Sequence, residues 1–310
     1  MTQTIAPSKN PETNDEGAPR RRFTMQRLLM FTIVVLVMFI TLFPFYWMLR
    51  TALSNGKSLA ANPSSLLPAD FTLGAFKRVL GLSSVEQAQA EGGSGAAINF
   101  WLYLRNSVIV SVVITVGQVF FSAMAAYAFA RMRFPGRDKI FALVLAALMI
   151  PGIFTMMPNF LLIKDLGLLN TLPGIILPFL FMTPFAIFFL RQFFLGVNRE
   201  IEEAATLDGA GHFRIFWKVV LPMSSAPVFT LAILTYIGAW NEYFWPLISA
   251  TRPEMYTLTT GLASMQTNFA QTEGIGFLMA QAVFASIPIF IVYVVFQKQI
   301  VRAMAGTAVR

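Results

Sequence analysis

Residues 198–222 read NREIEEAATLDGAGHFRIFWKVVLP, a polar insert set between two apolar stretches at 173–194 and 226–249. Its first part starts a short helix with Asn198 as the cap, because an Asn side chain accepts a bond from the orphan amides of a first turn. Glu200, Glu202 and Glu203 fall near the positive end of that helix, and the Asp208-Gly209 pair supplies the turn that ends it. A second helical stretch follows from about Gly211 to Val220, placing Phe213, Phe216 and Val220 on one face before Leu221-Pro222 halts it. The small residues Ala204 and Ala205 let another surface approach closely. A plain connector needs none of this.

Outward from the insert the apolar pattern repeats. Stretches near 28–49, 106–130, 140–162 and 276–297 join the two flanks to make six candidate spans. At about 1.5 Å rise per residue, each crosses the roughly 30 Å hydrocarbon layer of a bilayer. With 56% hydrophobic residues, 31 Phe and only 12% charged residues in 310, the chain is too apolar for a soluble domain and too long for one buried core. The fold expected is an all-α membrane protein with six transmembrane helices. The first stretch is read as a span and not as a cleaved signal peptide, since the run is long and no small-x-small site follows it.

Six spans put both termini on one side of the membrane. That side carries 16 Lys and Arg residues, in the N-terminal tail, 131–139, 191–222 and the segment after the sixth span, against 7 on the other. By the positive-inside rule it is cytoplasmic. The net charge of +8 is accordingly read as loops facing anionic lipid, with no nucleic-acid partner. The organisation expected is a disordered cytoplasmic tail over 1–27, ending in Arg20, Arg21, Arg22 and Arg27, and a first transmembrane helix over 28–49. An extracytoplasmic loop over 50–105 and a five-helix core over 106–300 containing the 198–222 loop come next. A cytoplasmic tail over 301–310 closes the chain. Within the outer loop, the Gly, Ala, Ser and Gln-rich patch 87–97 suits a flexible insertion.

Prolines gather inside the spans: Pro151 and Pro158 in the third, Pro173, Pro178 and Pro184 in the fourth, Pro288 in the sixth. Each removes a backbone donor. Two readings stand, broken helices around a cavity or simple kinks packed by neighbours.

The chemistry left open is narrow. With no cysteine and one histidine, disulfides, thiolate metal sites and cysteine nucleophiles are excluded, and no catalytic constellation or metal site is expected. Residues 51–58, TALSNGKS, miss a phosphate-binding loop by one position, with Thr51 where the first glycine belongs. They follow a membrane span instead of a β-strand, so that reading is rejected. Glu242 is the one carboxylate well inside a span, and an intramembrane acid is by default a functional candidate. With Trp240, Asn241, Tyr243, Trp245 and, in span six, Gln281, it could line a sugar path, because aromatic faces stack on sugar rings while amides and carboxylates bond hydroxyls. The alternative is that Glu242 and Gln281 pair with neighbouring helices and only fix the bundle. His212 is read as a surface contact, and Arg131, Arg133 and Arg137 as topology anchors. An ion-coupled secondary transporter would show internal repeats and several buried acids or bases, where only Glu242 qualifies. A membrane-embedded enzyme would need paired His, Asp or Glu.

A specific resemblance adds to this. The run Glu203-Ala204-Ala205, then Gly209, Val219, Leu221 and Pro222, resembles the EAA loop of binding-protein-dependent ABC importers, with Val219 where Ile is common. Residues 125–131 (AAYAFAR) with 134–136 (FPG), 240–247 (WNEYFWPL) and 305–309 (AGTAV) are similar to the carbohydrate-type, maltose-type permeases. The resemblance runs from about residue 100 to the end of the chain. It implies a type I ABC importer-like permease bundle whose coupling helix docks into a groove of an ATPase subunit. Glu203 would make polar contacts there, Ala204 and Ala205 would allow close packing and Gly209 the bend, with Asp208, Leu221 and Pro222 in the same loop. The implied partners are two ATPase subunits that bind ATP and Mg²⁺, a second permease of different sequence, an extracytoplasmic solute-binding protein and membrane lipid. No cofactor is then held by this chain. The implied cargo is a di- or oligosaccharide, with glycerol 3-phosphate or another polyol as the alternative.

Overall fold

The computed structural model of the chain describes the backbone of residues 25–91, 98–269 and 274–307. Among these residues the regular structure is helical, with one isolated antiparallel bridge between Ser54 and Phe71. The tail expected over 1–27 lies outside the described residues as far as residue 24, as do residues 92–97 of the glycine-rich patch and 308–310.

Two compact units are distinguished, the first ending at Trp47. Helix α1 (Met25–Ala52) makes up its described part and runs without a break through Pro44. The hydroxyls of Thr32 and Thr41 are satisfied locally, donating to the carbonyls of Leu28 and Val37.

The second unit opens with the last turn of α1 and three short helices, α2 (Gly56–Ala61), α3 (Gly74–Val79) and α4 (Val85–Ala90). The start of α4 is a capping box, in which the Ser84 side chain accepts from the Gln87 amide and Gln87 reaches back to the Ser84 amide. The flexible insertion expected over 87–97 is therefore helical in its first residues, and Ala88 is buried.

Helix α5 (Phe100–Arg131) begins earlier than the apolar run suggests, because the Asn99 side chain caps it by accepting from the Leu102 amide. The third span, expected over 140–162, is two helices, α6 (Arg137–Ala147) and α7 (Gly152–Asp165), bent by 98°. The fourth is α8 (Leu172–Leu180) and α9 (Pro184–Leu195), bent by 45°. Pro151, Pro173 and Pro184 stand at helix starts, where a missing N–H costs nothing. Pro158, Pro178 and Pro288 lie inside continuous helices instead.

The insert that follows holds α10 (Arg199–Leu207) and α11 (His212–Ile215). A π-helical segment, Phe216–Val220, carries α11 into α12 (Leu221–Met223). After an 82° bend comes α13 (Ser225–Asn241), then α14 (Phe244–Ser249), a 3₁₀ turn at Pro253–Met255, α15 (Leu258–Phe269) and α16 (Ile275–Thr307). The fifth expected span, 226–249, is thus α13 and α14 with a break at Glu242 and Tyr243. Residues 301–307 of the expected tail continue α16. Arg27–Ala52, α5 and Ile275–Gln297 are each long and apolar enough to cross a membrane, and three bent pairs raise the number to six.

Helix α5 is the axis of the second unit and packs against α8, α9 and α13. Near its start, Tyr103 joins Trp240, Leu258 and Phe277 in one apolar cluster. Near its middle, Val110 and Ile114 meet Ile163, Ile175 and Trp245. At its end, Ala126, Tyr127 and Ala130 meet Leu190, Phe194, Phe216 and Val220. Two buried polar side chains tie α5 to the segment after α14: Asn106, fully buried, donates to the carbonyls of Glu254 at 2.9 Å and Tyr256 at 3.0 Å, and the Ser107 hydroxyl accepts from the Leu258 amide.

Candidate functional site

Two places in the second unit concentrate chemistry, the α10–α12 insert and a cleft between α5, α8, α13 and α14. In the insert, the Asn198 side chain accepts from the Glu200 amide and so starts α10. The helix ends where Gly209 takes a left-handed φ of 81°, a backbone state that costs a residue with a Cβ about 1–2 kcal/mol.

Glu203, Ala204, Asp208 and Gly209 are all exposed, while Ala205 and Leu221 lean on the cluster at the end of α5. Pro222 is exposed, and it does not halt the helix as its sequence position suggests. The Leu221 amide bonds five residues back to the Phe216 carbonyl, and this widened turn carries the chain past the proline to Met223. The same turn splits the face expected to hold Phe213, Phe216 and Val220. Phe216 and Val220 are buried, whereas Phe213 is 65% exposed and sits edge-on against Trp217. Leu207 is 89% exposed, so the charged insert carries two exposed large apolar side chains, Leu207 and Phe213, as well as exposed Glu203 and His212.

What holds the insert in place was not visible as a motif. Arg131, the last residue of α5, donates to the carbonyl of Phe194 at 2.6 Å and to that of Val197, and its Nε lies 2.8 Å from the Glu202 carboxylate. The guanidinium therefore joins the ends of α5 and α9 to α10, satisfying orphan carbonyls at a helix C-terminus while neutralising a half-buried acid. Burial pushes the Glu202 carboxyl above its ordinary range, opposed by Arg131, Arg199 and His212. The sequence reading of Arg131 as a topology anchor misses this role. The one local signal is an Arg at a helix end, where carbonyls collect.

The residues read as a candidate sugar path are dispersed. Trp240 is buried, donates from Nε1 to the Ala285 carbonyl at 3.3 Å and stacks on Tyr236. Gln281 is buried in α16. Asn241 is exposed and bonds back to the Ile237 carbonyl, and Tyr243 packs against Phe244. Glu242 ends α13, and its Oε1 accepts from the Trp245 amide at 3.0 Å, capping α14 across the break.

Of the residues read as path candidates, Glu242 and Trp245 line the cleft, a space of about 230 Å³. The other polar walls are Gln118, Thr183 and Thr235, and the aromatic walls are Phe179 and Trp245. Gln118 and Thr235 are two of several polar positions in α5 and α13, and nothing in their spacing marks them out in the sequence.

Comparison with known proteins bears on both places. The model of the family described as "Binding-protein-dependent transport system inner membrane component" matches residues 118–306. An arabinooligosaccharides transport system permease protein of Halalkalibacterium halodurans is 37% identical over 211 residues, 68% of this chain and 75% of the relative. An sn-glycerol-3-phosphate transport system permease protein of Brucella abortus is 30% identical over 275 residues, 89% of this chain and 94% of the relative. In the crystal structure of a bacterial ABC transporter involved in the import of the acidic polysaccharide alginate, one chain superposes with a TM-score of 0.73 at 26% identity. That match covers 90% of this chain and 97% of the other.

Proposed function

Since this chain belongs to the family of binding-protein-dependent transport system inner membrane components, we propose that it forms one half of the path by which a di- or oligosaccharide enters the cell. It is a multi-pass permease subunit of an ABC importer, with a type I permease bundle. In the finer reading, an extracytoplasmic binding protein delivers the sugar, a second permease of different sequence completes the path, and two ATPase subunits bind ATP and Mg²⁺. The charge count supports cytoplasmic termini and, with them, an α10–α12 insert on the ATPase side.

The observation that carries the coupling role is the exposure of that insert. Leu207 and Phe213 are exposed on a charged insert whose Glu203 and Ala204 are exposed as well, and large apolar side chains left uncovered on such a segment are of the kind a protein partner covers. Glu203 makes polar contacts there, Ala204 allows close approach, and the Asp208-Gly209 turn sets the angle between the helices. Leu221 and Pro222 lead the chain back to the bundle. As the ATPases close around ATP they draw the insert with them, and the Arg131 clasp passes that displacement to α5 and α9.

The second reading, a glycerol 3-phosphate importer, is favoured by the relative that covers 89% of the chain. The test is affinity purification from membranes in mild detergent, with ATPase activity measured for the wild type and Glu203→Arg. Recovery of an ATPase and a second permease, lost or uncoupled in Glu203→Arg, supports the proposal. A chain that purifies alone and carries substrate into liposomes without ATP overturns it.

A further inference from the structure

The cleft between α5, α8, α13 and α14 has the chemistry to choose between the two cargoes, provided the chain is the importer subunit just described. Its polar groups come in complementary states. Gln118 commits its Nε2 to the Thr183 hydroxyl at 3.1 Å, which leaves its Oε1 as an acceptor. The Thr183 oxygen also accepts from the Ala186 amide, so its proton is the group it has to give. Glu242 uses Oε1 to cap α14 and keeps Oε2 as a second acceptor. Thr235 adds another hydroxyl to the wall. Two acceptors and two hydroxyl donors facing one small space match neighbouring hydroxyls on a sugar ring, each of which both donates and accepts.

The aromatic side matches as well. Phe179 and Trp245 meet edge to face at 6.4 Å, and the Trp245 indole is held by bonds to the Gly174 and Ile175 carbonyls. Phe179 is the half-buried apolar wall open to the C–H face of a ring, and Trp245, 2% exposed, holds it in place. At about 230 Å³ the cleft falls below the ~300–1,000 Å³ of a pocket for a drug-sized ligand, so it admits one ring at a time.

Charge settles the other half. No Lys or Arg occurs among the described residues that line the cleft, and its one ionisable group is an acid. A phosphate entering would meet a carboxylate and no cation, in a low-dielectric setting where that mismatch is costly. We propose that this cleft is a transit subsite for a single uncharged sugar ring, and that it disfavours phosphorylated polyols.

Gly238 also lines the cleft, so a cysteine there reports directly on what occupies it. A Cβ there meets nothing within 4 Å, and the chain has no native cysteine. Gly238→Cys is placed in the complex purified with its ATPase and second permease, and its labelling by a maleimide is followed with arabinotriose or sn-glycerol 3-phosphate at equal millimolar concentration. Arabinotriose should slow labelling about threefold, the factor that mass action gives at twice the dissociation constant, and sn-glycerol 3-phosphate should leave the rate unchanged. Adding Gln118→Leu, or Thr235→Val where that variant does not assemble, should abolish the protection. Equal protection by both ligands, protection by the phosphate alone, protection by neither, or protection that survives both wall variants overturns the subsite. Co-purification of the ATPase and ATP-dependent uptake by the wild type are read separately, so loss of the importer reading is distinguished from loss of the subsite.

Discussion

Replacing Arg131 with Met removes the guanidinium and keeps most of the side chain's length. The Arg131 and Glu202 side chains are 5% and 13% exposed, so the carboxylate would be left half-buried without its counter-charge, and the Phe194 and Val197 carbonyls would lose their shared donor. Breaking a buried pair from one side costs about 3–5 kcal/mol, and the lower figure suits a pair at the edge of the unit. About 3 kcal/mol corresponds to roughly a hundredfold rise in local opening of α10.

The assay is hydrogen exchange in the purified complex, read at the Asp208 amide, which bonds to the Ala204 carbonyl at the end of α10. Exchange there should accelerate roughly a hundredfold in Arg131→Met. It should recover most of the way in Arg131→Met combined with Glu202→Gln, because a neutral amide has less to lose than an unpaired carboxylate. Arg131→Lys should fall between, since an ammonium cannot span two carbonyls and a carboxylate with a planar fork.

The pH dependence has a definite sign. Burial already raises the Glu202 carboxyl in the folded state, and losing Arg131 removes a pull that lowers it, so the folded chain binds the proton more tightly than the unfolded one. The defect is therefore full above the raised folded value. It shrinks as pH falls through the window between that value and the lower folded value of the wild type, itself above the ordinary glutamate range, below which both chains hold the proton. Exchange in Arg131→Met within threefold of wild type, or a double variant no better than the single, would refute the clasp.

Other outcomes follow from the same contacts. Gly209→Ala should destabilise the turn by about 1–2 kcal/mol and lower ATP-coupled transport more than complex assembly, measured by uptake against co-purification, because the residue sits at φ 81° in the insert proposed to couple to the ATPase. Gly117→Val should lower the thermal inactivation midpoint of the solubilised complex, since a Cβ there would lie 2.4 Å from Leu180 Cδ1 and 2.8 Å from the Leu180 carbonyl. Overpacking of that kind costs about 1–3 kcal/mol. Asn106→Leu should cost about 2–4 kcal/mol in the same assay by leaving the Glu254 and Tyr256 carbonyls without their buried donor, and Asn106→Asp should not restore it because a carboxylate donates nothing.

The sequence by itself determined that this chain belongs in a membrane, that apolar stretches repeat six times, and that a capped, glycine-jointed insert lies between two of them. Those features are local. The Asn198 cap, the Gly209 turn and the apolar runs each depend on residues within a few positions, where spacing carries the information. Tertiary structure decided which prolines mark a break, since Pro151 and Pro184 stand where the third and fourth spans bend while α16 runs unbroken through Pro288. It also decided which polar residues meet. Trp240 and Gln281 look like path residues in a string of letters and are buried in the bundle, while Gln118 reaches Thr183 across 65 positions and Arg131 reaches Val197 across 66. A helix of 3.6 residues per turn fixes which neighbours share its face, but not which distant helix lies opposite, and the clasp and the cleft both depend on that second fact.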